Sequence, residues 1–191
     1  HGREVKLSVS YNDLLNFTWS TPIKDKNGNN TLWEKTSYDS RDWNFIREGL
    51  VKIYAALKTE GDYSFLSHFD VARVDYCTFG NSNPFRIRIV NKFNDNYDHY
   101  YIKIADASRI YGLELEHILS PNRIIFFTSD NTLVEEHIPG IPGDMFVSQF
   151  LNAPDMNKIR IAKEFVKFNE RCFVRLLGDM RSYNFVIDIT P

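Results

Sequence analysis

Between residues 66 and 138 the chain lays down strand, strand, strand, helix, strand, strand, and no other feature limits its fold so tightly. His68–Tyr76 is the first strand candidate, and Phe85–Val90 alternates apolar and polar side chains, the period of a half-buried strand. The stretch joining them, Thr78-Phe79-Gly80-Asn81-Ser82-Asn83-Pro84, is dense in turn residues. Asn94-Asp95-Asn96 turns the chain into a third strand, His99–Ile104. A helix is predicted over Ala107–Leu119, with Pro121 just past its end. Arg123–Phe127 and Thr132–Ile138 then read as a hairpin across Asp130-Asn131. The fold class expected is α+β, with a five-stranded antiparallel sheet and one helix between its third and fourth strands.

Two further sections flank this one. Residues 1–65 read as an N-terminal extension that opens on a strand-like Glu4–Ser10, where Val5, Leu7 and Val9 alternate with polar residues. Lys24-Asp25-Lys26-Asn27-Gly28-Asn29-Asn30 is a turn or loop. From Asp42 an amphipathic helix carries Trp43, Ile46, Leu50, Ile53 or Tyr54, and Leu57 at helical spacing and stops near Gly61. Its apolar face needs a partner, and the sheet of the next section is the one expected. Residues 139–191 begin with Pro139-Gly140-Ile141-Pro142-Gly143-Asp144, a linker or hinge. A short helix over Phe146–Leu151 comes next, then a longer one over Asn157–Phe173 with Ile159, Ala162, Val166 and Phe173 along one face. A last strand is predicted over Phe185–Ile189.

Composition narrows the function classes. A chain of 191 residues that is 43% hydrophobic and 25% charged reads as a soluble globular protein. Its net charge is −2, with Lys and Arg interleaved with acids, so no electrostatic attraction to nucleic acid is expected. Cys77 and Cys172 lack neighbours at metal-ligand spacing, which argues against a zinc site and a disulfide framework. No apolar run approaches the roughly 20 residues of a membrane span. A cytoplasmic location, without a membrane partner, is the default expectation.

Three segments could carry chemistry. In Gly178-Asp179-Met180-Arg181-Ser182-Tyr183-Asn184 an Asp precedes an Asn by five residues, after a long helix and before a strand. A short loop of that kind can aim a carboxylate at a nucleophile and turn an amide oxygen toward a phosphate-bound metal. Read alone, the same pattern also fits an Asx-type turn. In Tyr100-Tyr101-Ile102-Lys103 a lysine ends an aromatic, apolar strand, where burying it is costly unless it is paired. The helix after it offers Glu114 and Glu116, which point to different faces, so one of them at most can serve, and Glu114 is preferred. Leu133-Val134-Glu135-Glu136-His137-Ile138-Pro139-Gly140 runs from a strand into the linker.

Taken together and in this order, the three segments resemble the protein-kinase-like superfamily, nearest its aminoglycoside phosphotransferase and choline kinase branch, over residues 68 to 191. The resemblance makes residues 66–138 the N-lobe and residues 139–191 the hinge and the beginning of a helical C-lobe. It implies ATP and magnesium as cofactors and a hydroxyl-bearing acceptor, a small molecule by preference, with a protein acceptor left open. It implies that Lys103 holds the nucleotide's phosphates, that Glu114 fixes Lys103, and that Asp179 takes the proton of the attacking hydroxyl. Asn184 would bind magnesium. The linker, with Glu136 and Ile138, would meet adenine through backbone groups, and the turn at Gly80 would cover the phosphates. Thr78 to Ser82 would turn their backbone N–H groups toward them.

The chain also departs from that pattern. Leu177 stands where the branch has His before its Gly-Asp, and the phosphate turn has Gly80 where protein kinases have several glycines. The family's metal-binding Asp motif should come one hairpin beyond Asn184, so the chain reads as a fragment that is inactive or very weak alone. The alternative from another class is a pseudokinase-like domain that binds or scaffolds without catalysis.

Overall fold

The computed structural model describes residues 3–59, 62–79, 82–120, 123–178 and 180–188. The chain forms two compact units. One comprises residues 1–113 with 124–137, the other residues 114–123 with 138–191.

The first unit is mixed α+β and is built on a seven-stranded antiparallel sheet, two strands wider than the sequence pattern suggests. Its strands are β1 (Trp19–Lys24), β2 (Asn30–Ser37), β3 (Phe69–Cys77), β4 (Phe85–Asn91), β5 (Tyr97–Ile104), β6 (Phe126–Ser129) and β7 (Thr132–Glu136). They lie in the order β1-β2-β3-β4-β5-β7-β6. The two additional strands come from the N-terminal section. They flank the polar Lys24–Asn30 stretch, which is the tip of their hairpin, and Asp25 accepts from the backbone of Asn27 and Asn29 there. Gly28, at φ 84°, closes that turn in a conformation other residues rarely adopt. Their sequences hide them because neither face of β1 is buried, so the period-2 apolar signal is missing.

The opposite error occurs at Glu4–Ser10. Its alternation suggests a strand, but it forms a single parallel bridge, Glu4 to Thr128, and then runs on as irregular backbone. It is laced to the β6–β7 hairpin instead. The Val5 amide bonds the Thr128 carbonyl at 2.9 Å, Leu7 reaches Ser129 Oγ, and Tyr11 reaches Thr132 Oγ1 at 2.9 Å. Ser10 and Asp13 then form a capping box at the start of α1 (Tyr11–Leu14).

One face of the sheet is covered by α2 (Ser40–Thr59). Ile46, Leu50, Ile53, Tyr54 and Leu57 pack on Val71, Val74, Ile87, Ile89, Tyr100 and Ile102, and this is the main core. Fully burying each such side chain stabilises the fold by about 1.5–3 kcal/mol. The helix also passes close over the N-terminal segment. A Cβ at Gly49 would collide with Val9 Cγ2, so glycine is what lets the two approach. On the other face, α3 (Ala107–Leu119) places Leu113 against Phe126 and Leu133 in a smaller cluster.

The second unit contains the linker and the chain beyond it. Ile141–Pro142 (β8) pairs antiparallel with Val186–Ile187 (β9), a strand shorter than the predicted Phe185–Ile189. After β8 come α4 (Gly143–Met145), a π-turn over Phe146–Phe150, and α5 (Lys158–Val174), capped by the Asn157 side chain on the Arg160 amide. The sequence offers α5 two apolar stripes. Phe165 and Phe168 pack on Phe185, with ring centroids 5.7 and 5.3 Å away. The stripe singled out from the sequence, Ile159, Ala162, Val166 and Phe173, is the exposed one. The aromatic stripe buries more area per residue, which is the physical reason it wins.

Candidate functional site

The first unit carries a polar and aromatic cluster on the sheet face that bears α3. Side chains alternate across a strand, so on β5 Tyr100 and Ile102 enter the main core, while Tyr97, His99, Tyr101 and Lys103 project from the other face. Register then sets their neighbours. Arg88 and Arg86 of β4 stand opposite His99 and Tyr101, while Arg73 and Asp75 of β3 stand opposite Arg88 and Arg86. Although basic and acidic residues are interleaved along the sequence, the sheet gathers several arginines onto one surface.

Lys103 is the focus of this face. Its ammonium donates to Glu135 Oε2 at 2.5 Å, and Arg109, from the first turns of α3, donates to both oxygens of the same carboxylate at 2.5 and 2.7 Å. The side chains of Lys103 and Glu135 are 13% and 6% exposed, and that of Arg109 is 41% exposed. Two cations therefore share one buried carboxylate. Burial pushes Lys103 below its ordinary value and Arg109 pushes it further, against the pull of Glu135. Burial alone would raise Glu135, but the Arg109 hydrogen bonds and the charge of Lys103 outweigh it and hold the carboxyl below its usual range. At neutral pH the Glu135 carboxylate is ionised, and Arg109 also feels the Asp106 carboxylate, whose Oδ1 accepts from the Arg109 backbone amide at 3.1 Å.

The sequence points to a helix partner for Lys103, at Glu114, whereas the structure supplies Glu135 from the adjacent strand. The ladder pairs Tyr101 with Glu135 and Lys103 with Leu133, so Glu135 lies one diagonal step from Lys103 on the same face. Glu114 belongs to the second unit. Glu116, the other helix candidate, pairs with Arg175. Neither Glu135 nor Arg109 stands out in the sequence, because their meeting depends on strand register. The one available signal is cost: a carboxylate in the apolar run Leu133-Val134-Glu135 calls for a cation nearby.

Beside this triad lies a second ionic group. Asp75 is fully buried and takes Arg86 through Nε at 3.1 Å and Nη2 at 2.8 Å, and Arg73 through Nη2 at 3.0 Å. The Arg86 guanidinium lies 4.3 Å from the Trp33 ring centre, and Trp33 in turn meets Tyr101 at 6.4 Å. The Tyr101 hydroxyl lies 3.3 Å from His137 Nδ1. His99 sits 5.9 Å from the His137 ring, and burial, with Arg86, His137 and Arg88, lowers its pKa to about 4. Both imidazoles are kept neutral at physiological pH, His137 chiefly by burial.

The remaining expected site residues that are described fall in both units. Gly80 and Asp179 lie outside the described residues. In the turn expected to cover phosphates, the Thr78 amide is already given to the Leu32 carbonyl at 3.0 Å, because β2 extends the sheet beside it. That N–H is therefore not turned toward a ligand as expected. Glu136 accepts from the Ile125 amide at 2.7 Å, within the β6–β7 hairpin. Ile138 and Asn184 lie in the second unit. Ile138 opens the linker there, and Asn184 ends a 3-10 turn, Ser182–Asn184, just before β9. Strand β9 pairs with the linker strand β8. Among the described residues, no three His, Cys, Asp or Glu side chains gather as a metal site. Among them, too, no helix is long and apolar enough to cross a membrane.

No protein-family model matches the chain, and no curated protein or solved structure matches it either.

Proposed function

We propose that the chain carries the nucleotide-binding part of an ATP-dependent, kinase-like phosphotransferase acting on a hydroxyl group, by preference on a small molecule. The observation that carries this reading is Lys103, a largely buried strand lysine fixed at 2.5 Å by a carboxylate that Arg109 shares. The pairing pre-orients the ammonium toward a phosphate placed beside it. The order of elements supports the same reading: β3, β4 and β5, then α3, then β6 and β7. In this reading Glu135 takes the fixing role that the resemblance gives to Glu114. The resemblance would give Asp179 the proton of the attacking hydroxyl, whose oxygen would bond the γ-phosphorus as ADP leaves, and would make Asn184 a magnesium ligand. When bound, the ion would neutralise the charge developing on the transferred phosphoryl group.

Titration with ATP, with and without magnesium, while following the melting temperature, tests the proposal. A ligand that binds only the folded state raises the melting temperature as its concentration passes the dissociation constant. The rise should vanish in Lys103→Ala. No rise at millimolar ATP removes nucleotide binding by this chain. The companion reading, pseudokinase-like binding without catalysis, is favoured by Leu177 standing where the resembling branch has His. It predicts the same thermal shift with no ADP formed.

A further inference from the structure

We propose that Arg88, Arg86 and His99 form a second anion-binding site on the same sheet face, suited to a phosphate-type oxyanion. The site stands on its own observations and does not rest on the phosphotransferase reading. Arg88 on β4 is directly opposite His99 on β5. Its guanidinium carbon lies 3.8 Å from the centre of the Tyr97 ring, which supports the cation without neutralising it. Among the described residues no carboxylate comes within ion-pair distance of Arg88.

The charge balance points the same way. Arg73, Arg86 and Arg88 face a single carboxylate, Asp75, and Asp75 is already engaged by Arg73 and Arg86. Two positive charges are left over. Asp98, next to His99 in sequence, projects from the opposite face, where it meets Tyr54 Oη and Lys58 at 3.2 Å each. It is therefore turned away from this group. The groups facing His99 are Arg86 and Arg88 from β4, Asp75 from β3, Tyr97 and Tyr101 on its own strand, and His137 beyond β7. Burial, helped by Arg86, His137 and Arg88 and opposed by Asp75, keeps the imidazole neutral.

A phosphate placed here would accept from the planar, fork-shaped edge of Arg88 and from Arg86. By adding negative charge it would also let His99 protonate and donate a further hydrogen bond. His99 is four residues from Lys103 along β5, about 13 Å at 3.3–3.4 Å per residue. One phosphate group cannot occupy both positions. The oxyanion is either free phosphate or the phosphate end of a ligand whose other end lies at Lys103.

The test tracks the His99 imidazole by NMR from pH 7 to 4 in the full chain. The probes are inorganic phosphate, ATP, and sodium chloride at matched ionic strength. With phosphate the His99 midpoint should rise from about 4 by about one unit or more, and chloride should not reproduce the rise. Arg88→Gln should abolish the rise while the melting temperature stays near that of the parent. Arg88→Lys, which keeps the charge but loses the fork, should diminish it. A rise with inorganic phosphate that survives Lys103→Ala identifies free phosphate. A rise with ATP alone, lost in Lys103→Ala, identifies a ligand-borne phosphate and still supports the site. The site is overturned if neither phosphate nor ATP moves the midpoint, if chloride moves it equally, or if the rise persists in Arg88→Gln. Loss of the ATP thermal shift alone bears on the phosphotransferase reading and leaves this site intact.

Discussion

The hydroxyl of Tyr100 donates to the backbone carbonyl of Leu50 at 2.8 Å, joining a fully buried position on β5 to the middle of the long covering helix. Burial raises the Tyr100 pKa well above that of a free phenol, so the group stays a neutral donor at any physiological pH. Tyr100→Phe keeps the packed ring and deletes this bond. It should lower the unfolding free energy by about 0.5–1.5 kcal/mol with an unchanged denaturant slope, as read by urea unfolding. A neutral result would mean that the bond adds nothing net to the packing of the ring.

Glu135 has a larger effect because two cations depend on it. Glu135→Ala leaves Lys103 buried without its carboxylate and should cost about 3–5 kcal/mol. Adding Lys103→Met should recover part of the loss, since the stranded ammonium is then gone. A single-variant loss below about 1 kcal/mol would show that water already screens the pair, as it does at exposed sites.

His99 gives stability an acid-side slope. Its folded pKa is depressed to about 4 against an ordinary value of 6.5, so the unfolded chain binds its proton more readily. Stability is therefore lost as pH falls from 6.5 toward 4, and this contribution is flat outside that window. His99→Gln should flatten the curve of stability against pH between those values, relative to the parent, when unfolding is measured at half-unit steps. An unchanged slope would assign the acid sensitivity to other groups.

The linker glycine at 143 is fixed by contact. A Cβ there would collide with the Phe185 ring at Cε2 and with the Ser182 carbonyl oxygen. Gly143→Ala should push residues 182–187 off the linker at a cost of about 1–3 kcal/mol. Hydrogen exchange reads this directly, because the amide of residue 143 bonds the Phe185 carbonyl at 3.0 Å and should lose its protection.

These elements are legible in sequence to very different degrees. Strands β3, β4 and β5 and helix α3 are strongly periodic, and the structure places them within a residue or two of the pattern. The β1–β2 hairpin is not legible, since Trp19–Lys24 is largely exposed and contains Pro22. The polar turn at Asp25 to Asn29 is the visible half of it. Helix α5 is legible, but with the wrong face inward, because periodicity alone does not choose between two apolar stripes. At the site, Lys103 stands out as a buried cation needing a partner, and the sequence contains several carboxylates within reach. Choosing among them requires the register of β5 against β7. The arginines at 73, 86 and 88 draw no attention because each is flanked by apolar residues. They meet only across neighbouring strands.

The lacing of Val5, Leu7 and Tyr11 to Thr128, Ser129 and Thr132 has a consequence for how the first unit is made. Contacts separated by more than a hundred residues are slow to form, because the intervening chain must be ordered before they contribute. During synthesis the leading residues leave the ribosome long before their partners exist. Val9, which lies against the glycine of the long helix, must then wait in a partly assembled unit. The last step in closing this unit should be the docking of the chain's opening segment onto its own later hairpin, and until then the β6 edge stays open to other strands.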